Sequence, residues 1–203
     1  SWEIGLGSNF AALYGYYLSS PLNWFIGFFP HEYMIEMMNI IILLKLALAS
    51  VAFTYYIEKR FKVSNITISI FGMFYALSGF TAAFSWNLMW FDCVLLLPLV
   101  LLGLERLVNE DKGILYTITL GLTILSNYYI AIMVCISLVF YFFVLLVTMP
   151  VPEKKTVYLQ KIGYFTIFSV LAGAMSAAIL LPELYALGLT ASSDISFPKT
   201  LTQ

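Results

Sequence analysis

Long apolar stretches recur along nearly the whole 203-residue sequence, and they limit its possible folds more than any other feature. The hydrocarbon core of a bilayer is about 30 Å thick, so a helix needs about 20 mostly apolar residues to cross it. Lipid offers no hydrogen-bond partner to the backbone, and the stretches are too long and too unbroken for barrel strands. The sequence therefore predicts an all-α integral membrane protein.

Composition excludes several other classes of protein. Hydrophobic residues make up 62% of the chain and charged residues 10%, whereas a soluble domain has about 25% charged residues. The net charge of −1 gives no basis for a nucleic-acid partner. Cys93 and Cys135 are too few for a disulfide framework, so we expect free thiols. His31 stands apart from any Cys or His cluster, and no metal site is expected.

Charged and turn residues divide the apolar sequence into six predicted transmembrane spans. These cover about residues 34–57, 65–85, 93–108, 113–127, 130–149 and 163–187. We predict an extracytoplasmic loop over 1–33, a helical bundle over 34–187, and the start of a second extracytoplasmic segment over 188–203. The chain begins at Ser1 without a basic segment ahead of an apolar core, which predicts no signal peptide and is typical of an internal fragment.

Cations follow every second predicted span. They are Lys59, Arg60 and Lys62, then Arg106 and Lys112, then Lys154, Lys155 and Lys161. Because loops rich in Lys and Arg remain in the cytoplasm, this alternation predicts that residues 1–33 lie outside the cell membrane.

The third and fourth predicted spans, with about 16 and 15 residues, correspond to only about 24 and 22 Å of helix. We therefore expect the connections 86–92 and 126–129 to lie below the outer membrane surface. Non-helical backbone is tolerated there only where it lines a cavity or is buried in protein, so a vestibule open to the outside is predicted. Local bilayer thinning or a misplaced boundary is the alternative.

Two short interfacial helices are predicted before the first span. Ser8 can cap a helix that extends to Leu18, and Pro21 can start a second helix that ends before Pro30. The aromatic side chains of the second helix suit the headgroup region. They are Trp24, Phe25, Phe28 and Phe29.

Lys45 lies near the middle of the first predicted span, where a cation costs about 2.5–3.5 kcal/mol. Such a residue is expected to face the protein interior and to have a partner or a function. Glu36 is on the opposite helix face and about 13 Å away, so it is not the expected partner. The alternatives are an anionic lipid phosphate, an acidic residue of a neighbouring helix, and backbone carbonyls within the bundle.

The predicted outer loop SWNLMWFD, residues 85–92, contains several candidate binding groups. Asp92 directly precedes an apolar run, which predicts either the N-cap of span three or a carboxylate that faces a substrate. Trp86 and Trp90 fit a membrane-interface belt. Together with Asn87 they also fit a sugar-binding surface, in which rings stack on CH faces and amides bind hydroxyls.

Asn127 lies in the predicted outer turn between spans four and five, a position that asparagine tolerates well. The sequence contains no catalytic triad, metal cluster or P-loop motif. The residues alone thus predict a membrane bundle with an outward cavity and name no reaction.

Six strings in a fixed order resemble the bacterial YfhO membrane protein family. They are GLGSNF at 5–10, YYLSSPLN at 16–23, LSGF at 77–80, SWNLMWFD at 85–92, LGLERL at 102–107 and SNYY at 126–129. The resemblance implies a GT-C type glycosyltransferase fold in the bacterial plasma membrane. The implied activity moves a sugar from a polyprenyl-phosphate carrier, the donor substrate, to a cell-wall polymer such as teichoic or lipoteichoic acid.

The resemblance also implies roles for particular residues. The family's general base would precede this sequence, so the catalytic residue stays unassigned, with Asp92 as a candidate, and the 203-residue piece alone is expected to be inactive. The residues carried over as substrate-binding are Trp86, Asn87, Trp90, Asp92, Asn127 and Lys45. Membrane lipid, the lipid-linked donor and the acceptor polymer are the expected partners.

Two other functions are compatible with the sequence. A lipid or saccharide transporter would also use an intramembrane lysine and short helices, but it requires polar residues in both halves of the membrane. Here the predicted polar clusters gather on the outer side. A non-catalytic membrane scaffold is the third interpretation.

Overall fold

The computed structural model describes residues 14–150 and 156–188, and these form helices without any strand. The prediction of an all-α integral membrane protein is confirmed. The α-helices are α1 (Met34–Phe61), α2 (Ile66–Ala76), α3 (Gly79–Phe84), α4 (Phe91–Glu110), α5 (Ile114–Ser126), α6 (Tyr128–Thr148), α7 (Thr156–Met175) and α8 (Ala177–Gly188). Shorter helical turns cover Tyr14–Leu18, Asn23–Phe28, His31–Tyr33 and Leu88–Trp90.

Five helical segments of the described chain are long and apolar enough to cross a membrane. They are His31–Phe61, Ile66–Phe84, Leu88–Glu110, Tyr128–Thr148 and Thr156–Met175. The 13-residue helix α5 is apolar but spans only about 20 Å, as its short predicted span required. The chain is therefore a multi-pass membrane protein.

The structure corrects the ends of two predicted spans. The third span is not short, because it continues through α4 to Glu110. The sixth span, predicted over 163–187, is instead two helices, since α7 ends at Met175 and α8 begins at Ala177. Between them, the Ser176 hydroxyl donates to the carbonyl of Gly121 at 2.7 Å, which fixes the break against α5.

Close backbone contacts hold neighbouring helices together. Lys62, in the left-handed conformation with φ of 53°, ends α1 and allows α2 to return antiparallel. A Cβ on Gly72 of α2 would lie 2.6 Å from the carbonyl oxygen of Ser50 on α1, so only glycine permits this approach. Gly103 of α4 plays the same role, because a Cβ on this residue would lie 2.6 Å from the Cα of Tyr116 on α5.

The hydrophobic core lies where α4, α5, α6 and α7 meet. Its fully buried members include Val100, Leu104, Tyr116 and Leu138. The ring of Phe142 stacks on that of Phe165 with centroids 4.2 Å apart, which joins α6 to α7. This arrangement leaves one side of α4 free to pack against α1.

Two ion pairs set the register of α1 against α4, which run parallel. Lys45 pairs with Asp92 at 2.6 Å, and Arg60 pairs with Glu105 at 3.2 Å near the other end. Lys45 follows the first residue of α1 by 11 positions, or about 17 Å of helix, whereas Asp92 is the second residue of α4. The connection that precedes α4 therefore lies about 17 Å along α1 from its start, and we call it the recessed loop.

Candidate functional site

A cavity of about 860 Å³ lies above the start of α4. We call it the recessed cavity; its walls are the helical turns before α1, the first residues of α1 and the connection 86–90. The lining is mostly aromatic and apolar and includes Tyr17, Trp24, Met38, Trp86, Asn87 and Trp90. Its size is that of a site for a small molecule or for part of a lipid.

Specific hydrogen bonds hold the N-terminal turns over this cavity. Ser19, fully buried, donates from its hydroxyl to the carbonyl of Ser126 at 2.9 Å. The Trp24 indole N–H donates to the carbonyl of Leu18 at 2.8 Å, which orients its ring. The turn Asn23–Phe28 corresponds to the second predicted interfacial helix. The predicted cap at Ser8 lies outside the described residues.

Lys45 is fully buried behind the wall of the recessed cavity. Its ammonium donates to Asn23 Oδ1 at 2.7 Å, to the Leu88 carbonyl at 3.0 Å and to Asp92 Oδ2 at 2.6 Å. A lysine ammonium has three donors, and all three are used by the protein. Of the three sequence alternatives, the structure thus contains the acidic neighbour and the backbone carbonyl. Lys45 holds together the N-terminal turn, the recessed loop and α4.

Asp92 does not cap α4 as predicted, because Trp90 occupies the N-cap position and Phe91 is the first helical residue. Asp92 lies in the first turn, where the helix dipole favours a negative charge. Its side chain is buried and directed to Lys45 rather than to the first free N–H groups. Asp92 therefore lies behind the cavity wall and not in its lining.

Trp86, Asn87 and Trp90 all line the recessed cavity. Trp86 is 74% exposed, whereas the ring of Trp90 lies 5.3 Å from that of Phe84 and 6.2 Å from that of Tyr129. One tryptophan is thus accessible at the mouth and the other is fixed within an aromatic cluster. Both present faces on which an apolar or sugar ring can stack.

Asn87 is 2% exposed, and its amide nitrogen has no hydrogen-bond partner among the described residues. A buried donor without a partner destabilises a protein by about 1–3 kcal/mol, so such groups call for a functional explanation. Asn87 also lines the cavity, so this N–H₂ group lies buried at the cavity wall.

Asn127 does not line the recessed cavity. Its side-chain oxygen accepts from the Ile130 N–H at 3.0 Å and caps α6. Its carbonyl lies 3.9 Å from the sulfur of the buried Cys93, one residue after Asp92. Asn127 therefore supports the start of α4 from behind the site.

Sequence reasoning missed two buried polar side chains that hold helices together. Asn23 was overlooked, although a polar residue inside an aromatic interfacial helix is a signal that it faces protein. Glu105 was also overlooked, and it accepts from the hydroxyl groups of Tyr56 at 2.9 Å and Tyr141 at 2.5 Å. Arg60, whose side chain is 40% exposed, completes this cluster around the buried Glu105. The cluster lies at the basic end of the bundle, defined as the ends of α1 and α4 and the start of α5.

Other chemistry is not evident in the described part of the chain. It holds no group of His, Cys, Asp or Glu residues that could bind a metal ion. Cys93 and Cys135 are both free, as the sequence predicted.

Comparison with known proteins identifies the family. No curated protein and no solved structure matches the sequence. The family described as bacterial membrane protein YfhO matches residues 1–203, which is the whole sequence. With its helical spans, the chain therefore belongs to the bacterial membrane protein YfhO family.

Proposed function

We propose that the chain is part of a glycosyltransferase that moves a sugar from a polyprenyl-phosphate carrier to a cell-wall polymer, such as teichoic or lipoteichoic acid. The transfer takes place on the outer face of the bacterial plasma membrane, where residues 1–33 and the recessed cavity lie. One observation carries this proposal: the Asn87 amide, a donor without a hydrogen-bond partner among the described residues, is buried at the wall of an aromatic cavity between a recessed loop and membrane-interface helices.

The lining of the cavity matches the two parts of a lipid-linked sugar. Met38, Ile26 and Leu18 offer an apolar surface to an isoprenoid chain that arrives from the membrane. Trp86 and Trp90 offer ring faces to the CH groups of a sugar. The Asn87 amide supplies a hydrogen bond to a sugar hydroxyl or a phosphate oxygen.

The reaction requires a base that takes a proton from the acceptor hydroxyl while this oxygen attacks the anomeric carbon and the lipid phosphate leaves. Asp92 is already bound to Lys45, so we assign it a positioning role and place the base outside the described residues. The Lys45 ammonium of this pair binds the Leu88 carbonyl and the Asn23 side chain, and both residues line the cavity. The pair thus fixes the cavity wall around the substrate before the substrate binds.

A transporter is the second candidate, and the buried cluster around Glu105 favours it, because polar groups then occur near both ends of the bundle. Small side chains lie between the two clusters on α1. Ala49 and Ala52, on the face of α1 that carries Lys45 and Tyr56, are both buried. This close packing favours an enzyme with a site at one side.

The proposal is tested in the bacterium that encodes the full-length protein, by measuring sugar on teichoic and lipoteichoic acid with mass spectrometry and NMR. We expect the sugar to disappear when the gene is deleted, to return with the wild-type gene, and to stay low with Asn87→Leu at equal protein level. Unchanged surface polymers in the deletion strain would contradict the transferase proposal and favour a transporter or scaffold.

A further inference from the structure

A polar pocket of about 250 Å³ lies at the basic end of the bundle, between the ends of α1 and α4. It is remote from the recessed cavity, since Arg60 follows Lys45 by 15 positions, or about 22 Å of helix. The charged side chains that line it are Lys59, Arg60, Glu105, Arg106 and Glu110.

The carboxylates of this pocket are already neutralised by other groups. Glu105 binds Arg60 at 3.2 Å and also accepts from two tyrosine hydroxyls. Glu110 binds the Lys112 ammonium at 3.0 Å. Neither carboxylate forms an ion pair with Lys59 or Arg106, and the charge of Glu110 acts on Arg106 only at longer range.

Two cations of the pocket form no ion pair with any of the described residues. The Lys59 ammonium lies 5.3 Å from the ring centre of Tyr55, a contact with a neutral group. Arg106 is half-buried, and its guanidinium makes no hydrogen bond or ion pair with any side chain in the described ranges. A guanidinium has five donors and no acceptor, and it binds the paired oxygens of a phosphate well.

An apolar groove of about 590 Å³ begins at the same arginine. It lies between the start of α5 and α7, and its lining includes Arg106, Asp111, Lys112, Ile114, Ile118 and Phe168. The Asp111 carboxylate is bound by the Lys161 ammonium at 2.8 Å. Arg106 thus belongs to the linings of both the polar pocket and the apolar groove. A molecule with an anionic head and an apolar tail matches both spaces at once.

We propose that the basic end of the bundle binds an anionic phospholipid. The phosphate lies between Arg106 and Lys59, and an acyl chain follows Ile114 and Ile118 towards Phe168. A basic pocket between membrane helices is a known type of site for anionic lipid headgroups, and each cation near the surface favours such binding by severalfold. This site is independent of the sugar transfer proposed above.

The test uses the purified full-length protein in detergent, with phosphatidylglycerol and phosphatidylcholine as ligands and native mass spectrometry as the readout. We expect a bound phosphatidylglycerol that phosphatidylcholine does not replace. Arg106→Gln is expected to weaken phosphatidylglycerol binding by about fivefold or more. The matched control is Lys62→Gln, which removes a charge at the same end from a residue outside both linings and should bind as the wild type does.

Two further variants test the groove for the lipid tail and provide a substitute for Arg106→Gln. Ile118→Gln should weaken binding by placing a polar group in the groove, and Lys59→Gln, an exposed site, replaces Arg106→Gln if that variant does not fold. Equal binding of both lipids, or equal loss in Arg106→Gln and Lys62→Gln, would overturn the proposal. Full displacement of phosphatidylglycerol by inorganic phosphate would also overturn it, since the ligand would then be a soluble anion.

Discussion

The ammonium of Lys45 lies 2.6 Å from Oδ2 of Asp92, although the two residues are 47 positions apart and both are buried. This contact fixes the depth of the loop that precedes α4. It also supports the wall of the recessed cavity, because the same ammonium holds the carbonyl of Leu88 and the side chain of Asn23.

Removal of either partner of this pair should destabilise the protein strongly. Lys45→Met leaves a buried carboxylate without a counter-ion, and Asp92→Leu leaves a buried ammonium. We expect each to lower the free energy of unfolding by about 3–5 kcal/mol. Chemical or thermal unfolding of the full-length protein in detergent measures this effect.

The double variant Lys45→Met with Asp92→Leu serves as the control for that prediction. Since no unpaired charge remains, it should be more stable than either single variant. Simple addition of the two single effects would mean that the pair does not act as a unit.

Two asparagines near the site should respond in opposite ways to substitution. Asn87→Leu removes a buried donor that lacks a partner, so the unfolding midpoint should not fall while sugar transfer is lost. Asn127→Ala removes the cap of α6 and should lower stability by about 0.5–2 kcal/mol. If Asn87→Leu instead lowers the unfolding midpoint and leaves the transfer of sugar intact, the amide has a structural role.

Tyr141→Phe should lower stability by about 1–2 kcal/mol, because it removes a hydrogen bond to the buried carboxylate of Glu105. Tyr33→Phe is the matched control, since Tyr33 is 56% exposed and the loss of its hydroxyl group should not change stability. The unfolding midpoints of the two variants provide the comparison. Equal midpoints would show that Glu105 gains little from the second tyrosine.

Gly103→Ala should separate α4 from α5, because the new methyl group would lie 2.6 Å from the backbone of Tyr116. Overpacking of this kind costs about 1–3 kcal/mol. Gly163→Ala has open space around the new methyl group and should be neutral or slightly stabilising. A neutral Gly103→Ala would indicate that the two helices are less closely packed than the structure has them.

The proposed orientation can be tested with single cysteines at opposite ends of α2 and α3. In a protein with Cys93→Ala and Cys135→Ala, we expect Ser85→Cys to react with a membrane-impermeant maleimide on intact cells. Lys62→Cys should react only after the membrane is permeabilised. The reverse pattern would place the recessed cavity on the cytoplasmic side.

The sequence was sufficient to predict those features that depend on apolar length and on local pattern. The helical spans, the short α5 and the cavity-lining positions of Trp86, Asn87 and Trp90 follow from the alternation of apolar runs with polar loops. They can be predicted without knowing which helices pack against each other.

Features that depend on distant pairs could not be predicted in the same way. Asp92 was expected to cap a helix or to face a substrate because it directly precedes an apolar run, and its actual partner, Lys45, is 47 positions away in sequence. Likewise, Lys161 was assigned to a loop, but it lies within α7, which begins five residues earlier. Its ammonium binds Asp111 at 2.8 Å, and its side chain is only 8% exposed. A charged residue that forms an ion pair can lie within a helix and need not mark its end.

The two ion pairs between α1 and α4 also limit how this protein can move. A slide of one helix past the other by a single turn, about 5.4 Å, would break both pairs and leave four charges unmatched at once. Small residues between the pairs keep the two backbones in contact along the same face. We therefore expect the two helices to move as one unit, and any bending of the bundle to occur at the helix breaks at Leu77–Ser78 and at Ser176.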